Sequence, residues 1–213
     1  QRKDQERRIP FQQIVQDEAP PQSIVEELRR IAGEYHATTP KGFESPDRIL
    51  DFFLYVTATF LQRKRIVECL LPHGLKIFGP ESWLEILAPE YRSRFCGPVL
   101  FEQVADVYAS ADLSLNIHSY QCPTCLNSRD FDVIMAGGCL LADWVEDFSH
   151  GFFEEEKEVA LFRSHAELPD LVKALSSTPD YRDAMKVAAR DRLLREHTYA
   201  HRAGVICETL GIE

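Results

Sequence analysis

Residues 122–143 read CPTCLNSRDFDVIMAGGCLLAD, and this stretch decides the fold. It runs as a polar loop, an amphipathic helix, a Gly-Gly stop and a short apolar strand. Asn127 and Ser128 are both good N-cap residues, so the helix is expected to start there. Phe131, Ile134 and Met135 follow at i, i+3 and i+4 and predict one buried stripe. Gly137 and Gly138 end the helix, where a left-handed residue is needed. Cys139 to Ala142 then suits a strand buried on both faces. Arg129 and Asp132 sit one turn apart near the helix start. The free N–H groups and dipole there favour an anion. Asp132 offers a carboxylate that can accept two ribose hydroxyls. Phosphate plus ribose points to a nucleotide.

Outward from this unit, the chain has two rhythms. Residues 1–21 are charged and then Gln-rich, and read as a leader with one short helix at most. Ser23 is expected to cap a helix to about Tyr35, with Ile24, Leu28 and Ile31 on one face. His36 to Pro46 reads as a loop. A long helix is expected over 47–71, with proline at its first turn, broken at Pro72-His73-Gly74. From Leu75 strands and helices alternate. Strands are predicted at Leu75–Phe78, Pro98–Phe101, Asp112–Ile117, Cys139–Ala142 and Val159–Phe162. Helices are predicted at Glu81–Leu87, Gln103–Ser110, Glu167–Leu175, Pro179 to Glu196 and Thr198 to Leu210, with a helical turn at Phe148–Phe153. Met185, Ala188, Ala189 and Leu193 are expected to point inward. This alternation predicts an α/β fold: a Rossmann-like parallel sheet with helices on both faces, after an α-helical N-terminal segment. The division expected is residues 1–46 as leader and helical segment, and 47–213 as the Rossmann-like domain with C-terminal helices. Ligands of such sheets bind beyond the carboxyl ends of the strands.

Composition narrows the function. The 213 residues are 45% hydrophobic, enough for a real core. The net charge of −10 argues against a general nucleic-acid or membrane-surface binder. No apolar run reaches the ~18 residues that a membrane helix needs. The opening QRKDQERR has no signal-peptide character and reads as a solvated piece of something longer. Cys69, Cys139 and Cys207 lie in apolar stretches and read as reduced core residues, which fits a cytoplasmic setting. Cys122 and Cys125 form a CxxC that is half a zinc site, a redox pair or a plain loop. No second CxxC follows, and beyond His118 no fourth ligand is evident, so no metal is expected. Asp130 and Asp132 have DxD spacing, but two residues apart on a helix they do not face one point. His118, at a strand end, is a candidate general base or an ordinary loop residue. Arg129 and Asp132 alternatively form a surface salt bridge.

The ordered motifs resemble the carboxy-terminal half of a GT-B glycosyltransferase, and more narrowly the spore-maturation CgeB-like group. The matching pieces are Arg65 before an apolar helix, Gly74-Leu75-Lys76-Ile77-Phe78-Gly79, Trp83, and Gly97-Pro98-Val99. Val107-Tyr108, Leu113-Ser114-Leu115-Asn116-Ile117, Asn127-Ser128-Arg129-Asp130-Phe131-Asp132 and Ala136 to Asp143 follow. Phe153, Glu158-Val159, Phe162-Arg163-Ser164 and Glu196-His197-Thr198-Tyr199 close the series. The resemblance covers about residues 60–205. It implies transfer of a sugar, of hexosyl type, from a nucleotide diphosphate sugar to an acceptor hydroxyl, with no further cofactor. It places Asn127, Ser128 and Arg129 at the diphosphate and Asp132 at the ribose. It counts Gly137 and Gly138 among the residues that bind the nucleotide sugar. Asn116, Ser119 and Gln121 join His118 near phosphate or sugar, and Gly79 and Trp83 lie at the nucleobase. The first acidic residue of the paired-glutamate motif would fall at Thr124, which is not acidic. The resemblance also implies an absent amino-terminal half that carries the acceptor site, so that the fragment alone binds without turnover. The rival readings are a non-catalytic GT-B-like interaction module and a nucleotide-sugar epimerase or hydrolase.

Overall fold

The computed structural model describes residues 22–38 and 46–212. The leader and most of the loop before Pro46 lie outside the described residues. The chain divides into two compact units. One takes residues up to Gln62 together with Ser119–Gln121, and the other takes Arg63–His118 and everything from Cys122 onward.

The first unit carries helix α1 (Gln22–Thr38) and most of α2 (Pro46–Leu70). Proline and Asp47 occupy the first turn of α2, where a missing N–H costs nothing and a negative charge meets the positive helix end. Among its described residues, Ala32 and Ile49 are buried apolar side chains. Ser119 and Gln121 belong to this unit. The Ser119 hydroxyl lies 3.3 Å from that of Thr59 and accepts from the Gln121 N–H at 3.2 Å.

The second unit begins with the last turns of α2, which close in a 3-10 turn at Leu71–His73 and left-handed Gly74. Its elements are β1 (Ile77–Phe78), α3 (Trp83–Ile86), β2 (Phe95–Gly97), α4 (Val104–Ser110), β3 (Ser114–Asn116), α5 (Ser128–Met135) and β4 (Leu140–Asp143). Helix α6 (Glu146–Ser149), β5 (Ala160–Phe162), α7 (Leu168–Ser176), α8 (Pro179–Glu196) and α9 (Tyr199–Leu210) complete it. All ladders are parallel. They form a two-stranded β1–β2 sheet and a three-stranded sheet in the order β3–β4–β5. This is the mixed, Rossmann-like α/β fold expected, with the strands divided between two ladders.

Strand β4 explains the layering. Side chains alternate along a strand. Leu140 and Ala142 enter one core with Val133 and Ile134 of α5 and Ala189 and Leu193 of α8. Leu141 faces the other way, into a core with Ile66 and Leu70 of α2 and Leu168 and Leu175 of α7. Strand β5 repeats this pattern, with Leu161 on one side and Ala160 and Phe162 on the other. Both faces are therefore covered by helices, as a parallel sheet requires.

Two expectations are corrected. The strand expected at Pro98–Phe101 is instead Phe95–Gly97. Gly97 turns left-handed at φ 86°, Pro98 has no N–H for a ladder, and Phe101 sits 90% exposed in a 3-10 turn. The stripe expected on α5 is rotated. Met135 is 46% exposed, and the buried set is Asp130, Val133 and Ile134, with Phe131 packed against them.

Candidate functional site

The carboxyl ends of β3 and β4 meet the start of α5. Asn116, the last residue of β3, is fully buried and donates from Nδ2 to Asp130 Oδ1 at 2.6 Å and to Asn127 Oδ1 at 3.2 Å. Asn127 is the N-cap, as its sequence position predicts. Its side chain accepts from the Arg129 N–H at 2.9 Å, and its own N–H donates to Asp130 Oδ2 at 2.9 Å. This is a capping box in which Asp130 takes the role usually held by glutamate. At the other end Gly137 N–H donates to Ile134 and Gly138 N–H to Val133, the Schellman arrangement. Gly137 has φ 82°, so the predicted stop is real. Gly138 serves packing, because a Cβ there would lie 2.8 Å from the Tyr108 carbonyl oxygen.

His118, two residues beyond β3, joins the same cluster. Its Nε2 lies 2.9 Å from Asp130 Oδ2 and its Nδ1 2.8 Å from Asp143 Oδ1, at the end of β4. Its backbone N–H donates to the same Asp143 oxygen at 2.8 Å. The ring is 3% exposed, and Asp130 is 0%. Burial opposes the charged ring. The hydrogen bonds to Asp130 and Asp143, and the charges of both, outweigh burial and push its pKa up to about 9. With carboxylate acceptors on both nitrogens, both must donate, so the ring is an imidazolium at neutral pH. The two carboxylates sit on opposite edges of the ring, so the three groups do not converge. Among the described residues no group of three His, Cys, Asp or Glu side chains is placed to hold a metal ion.

The exposed outer turn of α5 carries Ser128, Arg129 and Asp132. Among the described residues, no ion pair joins Arg129 to Asp132, so the alternative of a surface salt bridge is not realised. A further cation is near. Arg63 of α2 donates from Nη2 to the Ile117 carbonyl at 3.2 Å, beside the end of β3. Its pKa is lowered by burial and then by the Arg129 charge, against the opposite pull of Asp143. The capping box takes up the Arg129 and Asn127 N–H groups, so what the helix start offers an anion is its positive dipole end and the two arginines, a surface suited to an anion with more than one charge.

The structure thus groups Asn116, His118, Asn127, Ser128, Arg129 and Asp132 around one helix start. Ser119 and Gln121 belong to the first unit. Gly79, just after β1, lies against Trp83 at the start of α3, next to the β1–β2 ladder and not the sheet that holds Asn116. Asp130, Asp143 and Arg63 are the residues that sequence reasoning passed over. DxD spacing on a helix brings no two carboxylates together, so it says nothing of Asp130's actual role. A signal was present all the same: Asn-x-x-Asp before an apolar stripe is a capping-box pattern. His197 has a packing place, stacked on Phe152 at 5.2 Å with Nε2 on the Phe152 carbonyl, while Thr198 and His201 form the cap of α9.

Among the described residues, no helix is long and apolar enough to cross a membrane. No curated protein and no solved structure matches the chain. A family model described as glycosyl transferase-like matches residues 62–208, which is most of the chain and nearly all of the second unit. Its parallel α/β unit and the length of that match place the chain in the glycosyl transferase-like family.

Proposed function

We propose that residues 47–213 are the donor-binding half of a cytoplasmic, CgeB-like GT-B enzyme of hexosyltransferase type. The donor is a nucleotide diphosphate sugar and the acceptor a hydroxyl held by another half of the parent protein. One observation carries this reading. Helix α5 starts at the carboxyl ends of two parallel strands, is locked there by a buried capping box, and leaves Arg129 and Asp132 exposed on its first turns. That is where open parallel sheets bind ligands.

In this reading the Arg129 and Arg63 guanidinium groups, at the positive end of α5, receive the diphosphate. Asp132 accepts the ribose hydroxyls. As the sugar–phosphate bond breaks, the diphosphate gains negative charge. Fixed cations and dipoles aimed at it favour the transition state over the bound donor. The protein's own charges fill that role, so no metal enters the proposal. His118, first read as a base, has both ring nitrogens committed to carboxylates and does not accept the acceptor proton here.

A thermal-shift titration with UDP, GDP, dTDP, ADP and CDP tests the reading on the wild type and on Asp132→Ala. Asp132 is exposed, so its loss leaves the fold intact. One diphosphate is expected to stabilise the wild type, by about 2.7 kcal/mol at a hundred times its Kd, and to act much more weakly on the variant. If all five leave the melting temperature unchanged, or if the variant responds like the wild type, the donor-site reading fails and an interaction module takes its place.

A further inference from the structure

We propose that His118 is a positioning residue for the anion site: its charged ring ties Asp130 to Asp143 and offsets the carboxylate buried behind the start of α5. The inference rests on the donor-site reading above.

Asp130 sets a conflict. Its carboxylate accepts from Asn127 N–H, from Asn116 and from the His118 ring, so the helix start depends on it. A negative charge in the first turn helps the helix. It also opposes any anion that approaches the same helix end. Asp143 adds a second carboxylate at the adjacent strand end. Alone, the two would put two negative charges behind the surface that must receive a diphosphate. His118 lies between them, hydrogen-bonded to both at 2.8–2.9 Å, and cancels one. The groups against the ring are Asp130 from α5, Asp143 from β4 and the edge-on Phe148 ring from α6 at 6.3 Å, with Asn116 of β3 bonded to Asp130. Arg63 of α2 acts electrostatically on Asp143 and bonds the carbonyl of Ile117. The cluster of three therefore carries one net negative charge, and Arg63 acts on its Asp143 end. Without the imidazolium it carries two. His118 also fixes position, because its backbone and ring hold the chain after β3 to the end of β4 and the start of α5 at once.

Two readouts test this. The first is ¹⁵N NMR of the histidine rings in the free protein. The two His118 nitrogens are expected to keep the doubly protonated signature at pH 7.5, and a neutral ring at that pH would overturn the inference whatever the ligand. The second is calorimetric binding of inorganic pyrophosphate at pH 7.5 to the wild type, His118→Gln and His118→Gln/Asp143→Asn. The single variant is expected to bind roughly tenfold more weakly. The double variant regains the wild-type charge of the cluster, so most of that loss should return. A merely structural role would leave the double variant no better than the single. Unchanged binding in His118→Gln also overturns the inference. If His118→Gln does not fold, Asp143→Asn alone replaces it: removing a negative charge should tighten pyrophosphate several-fold, and equal or weaker binding refutes the charge argument. If wild type fails to bind pyrophosphate at all, the donor site and this inference fall together. If a nucleoside diphosphate binds in an Asp132-dependent way while His118→Gln binds pyrophosphate normally, this inference alone falls.

Discussion

Two adjacent glycines close α5, and alanine at each should cost a different amount for a different reason. At Gly137 φ is 82° and nothing lies within 4 Å of a new Cβ. Alanine there meets backbone strain alone, about 1–2 kcal/mol, less the few tenths to 1 kcal/mol gained from a stiffer unfolded chain. At Gly138 the backbone is not left-handed, but the new Cβ would sit 2.8 Å from the Tyr108 carbonyl oxygen and 3.1 Å from both the Val133 oxygen and its Cγ1. Two of these three atoms are backbone and cannot rotate aside. Relief requires α4, which carries Tyr108, to move away from the α5–β4 junction by a few tenths of an ångström. That junction borders a core containing Val133, Ile134, Leu140 and Ala142. Overpacking a rigid contact of this kind costs about 2–3 kcal/mol. Urea unfolding of Gly137→Ala and Gly138→Ala measures both. The expected order is Gly138→Ala much less stable than Gly137→Ala, with the latter within about 1 kcal/mol of wild type. If Gly138→Ala unfolds at the wild-type midpoint, or if Gly137→Ala is the worse of the two, the close approach of α4 is wrong.

The His118 ring links stability to pH. Its pKa rises from 6.5 to about 9 on folding, so its contribution is complete below 6.5 and is lost as pH climbs through 9. At 1.36 kcal/mol per pH unit the full span is about 3 kcal/mol. Unfolding free energies at pH 6 and pH 9.5 should differ on that scale in the wild type and much less in His118→Gln; equal slopes would remove the assignment. Glu158 is 5% exposed and accepts from Arg192 Nε at 2.9 Å and from the Glu154 N–H. Arg192→Ala strands that buried carboxylate and should cost about 3 kcal/mol in chemical denaturation; a loss under 1 kcal/mol contradicts the pairing. Among the thiols, Cys96, Cys122 and Cys125 are exposed, and Cys139 is 1% exposed with its pKa raised by burial. A thiol-exchange reagent should label the first three quickly in native protein and Cys139 after unfolding; rapid native labelling of Cys139, read by mass spectrometry, would refute the buried strand.

The fold was legible wherever a local signal spans several residues. The apolar period and terminal proline marked α8, and Thr198 marked the start of α9. The Gly137-Gly138 stop and the run before Asp143 marked the α5–β4 turn. Short strands blurred. The expected Leu75–Phe78 shrinks to Ile77–Phe78, because two-residue ladders leave little periodicity to read. Pro98–Phe101 looked like a strand by composition, although a left-handed Gly97 had already ended it. The site divides the same way. The cap at Asn127 and the surface pair Arg129 and Asp132 follow from helix chemistry. The contact between His118, Asp130 and Asp143 joins three elements, and no spacing along the chain encodes it. The role of Asp130 is hidden from the sequence because its partners are a strand-end amide and a ring, not a neighbouring carboxylate.

The capping box also bears on the thermodynamics of binding. The start of α5 is already held by Asn127, Asp130 and Asn116 without any ligand, so the entropy of ordering that loop is spent in folding and not at the moment of association. An incoming anion meets a helix start that is already built. Its binding should then show a small heat-capacity change, and tight and weak ligands should differ chiefly in dissociation rate, with association limited by encounter.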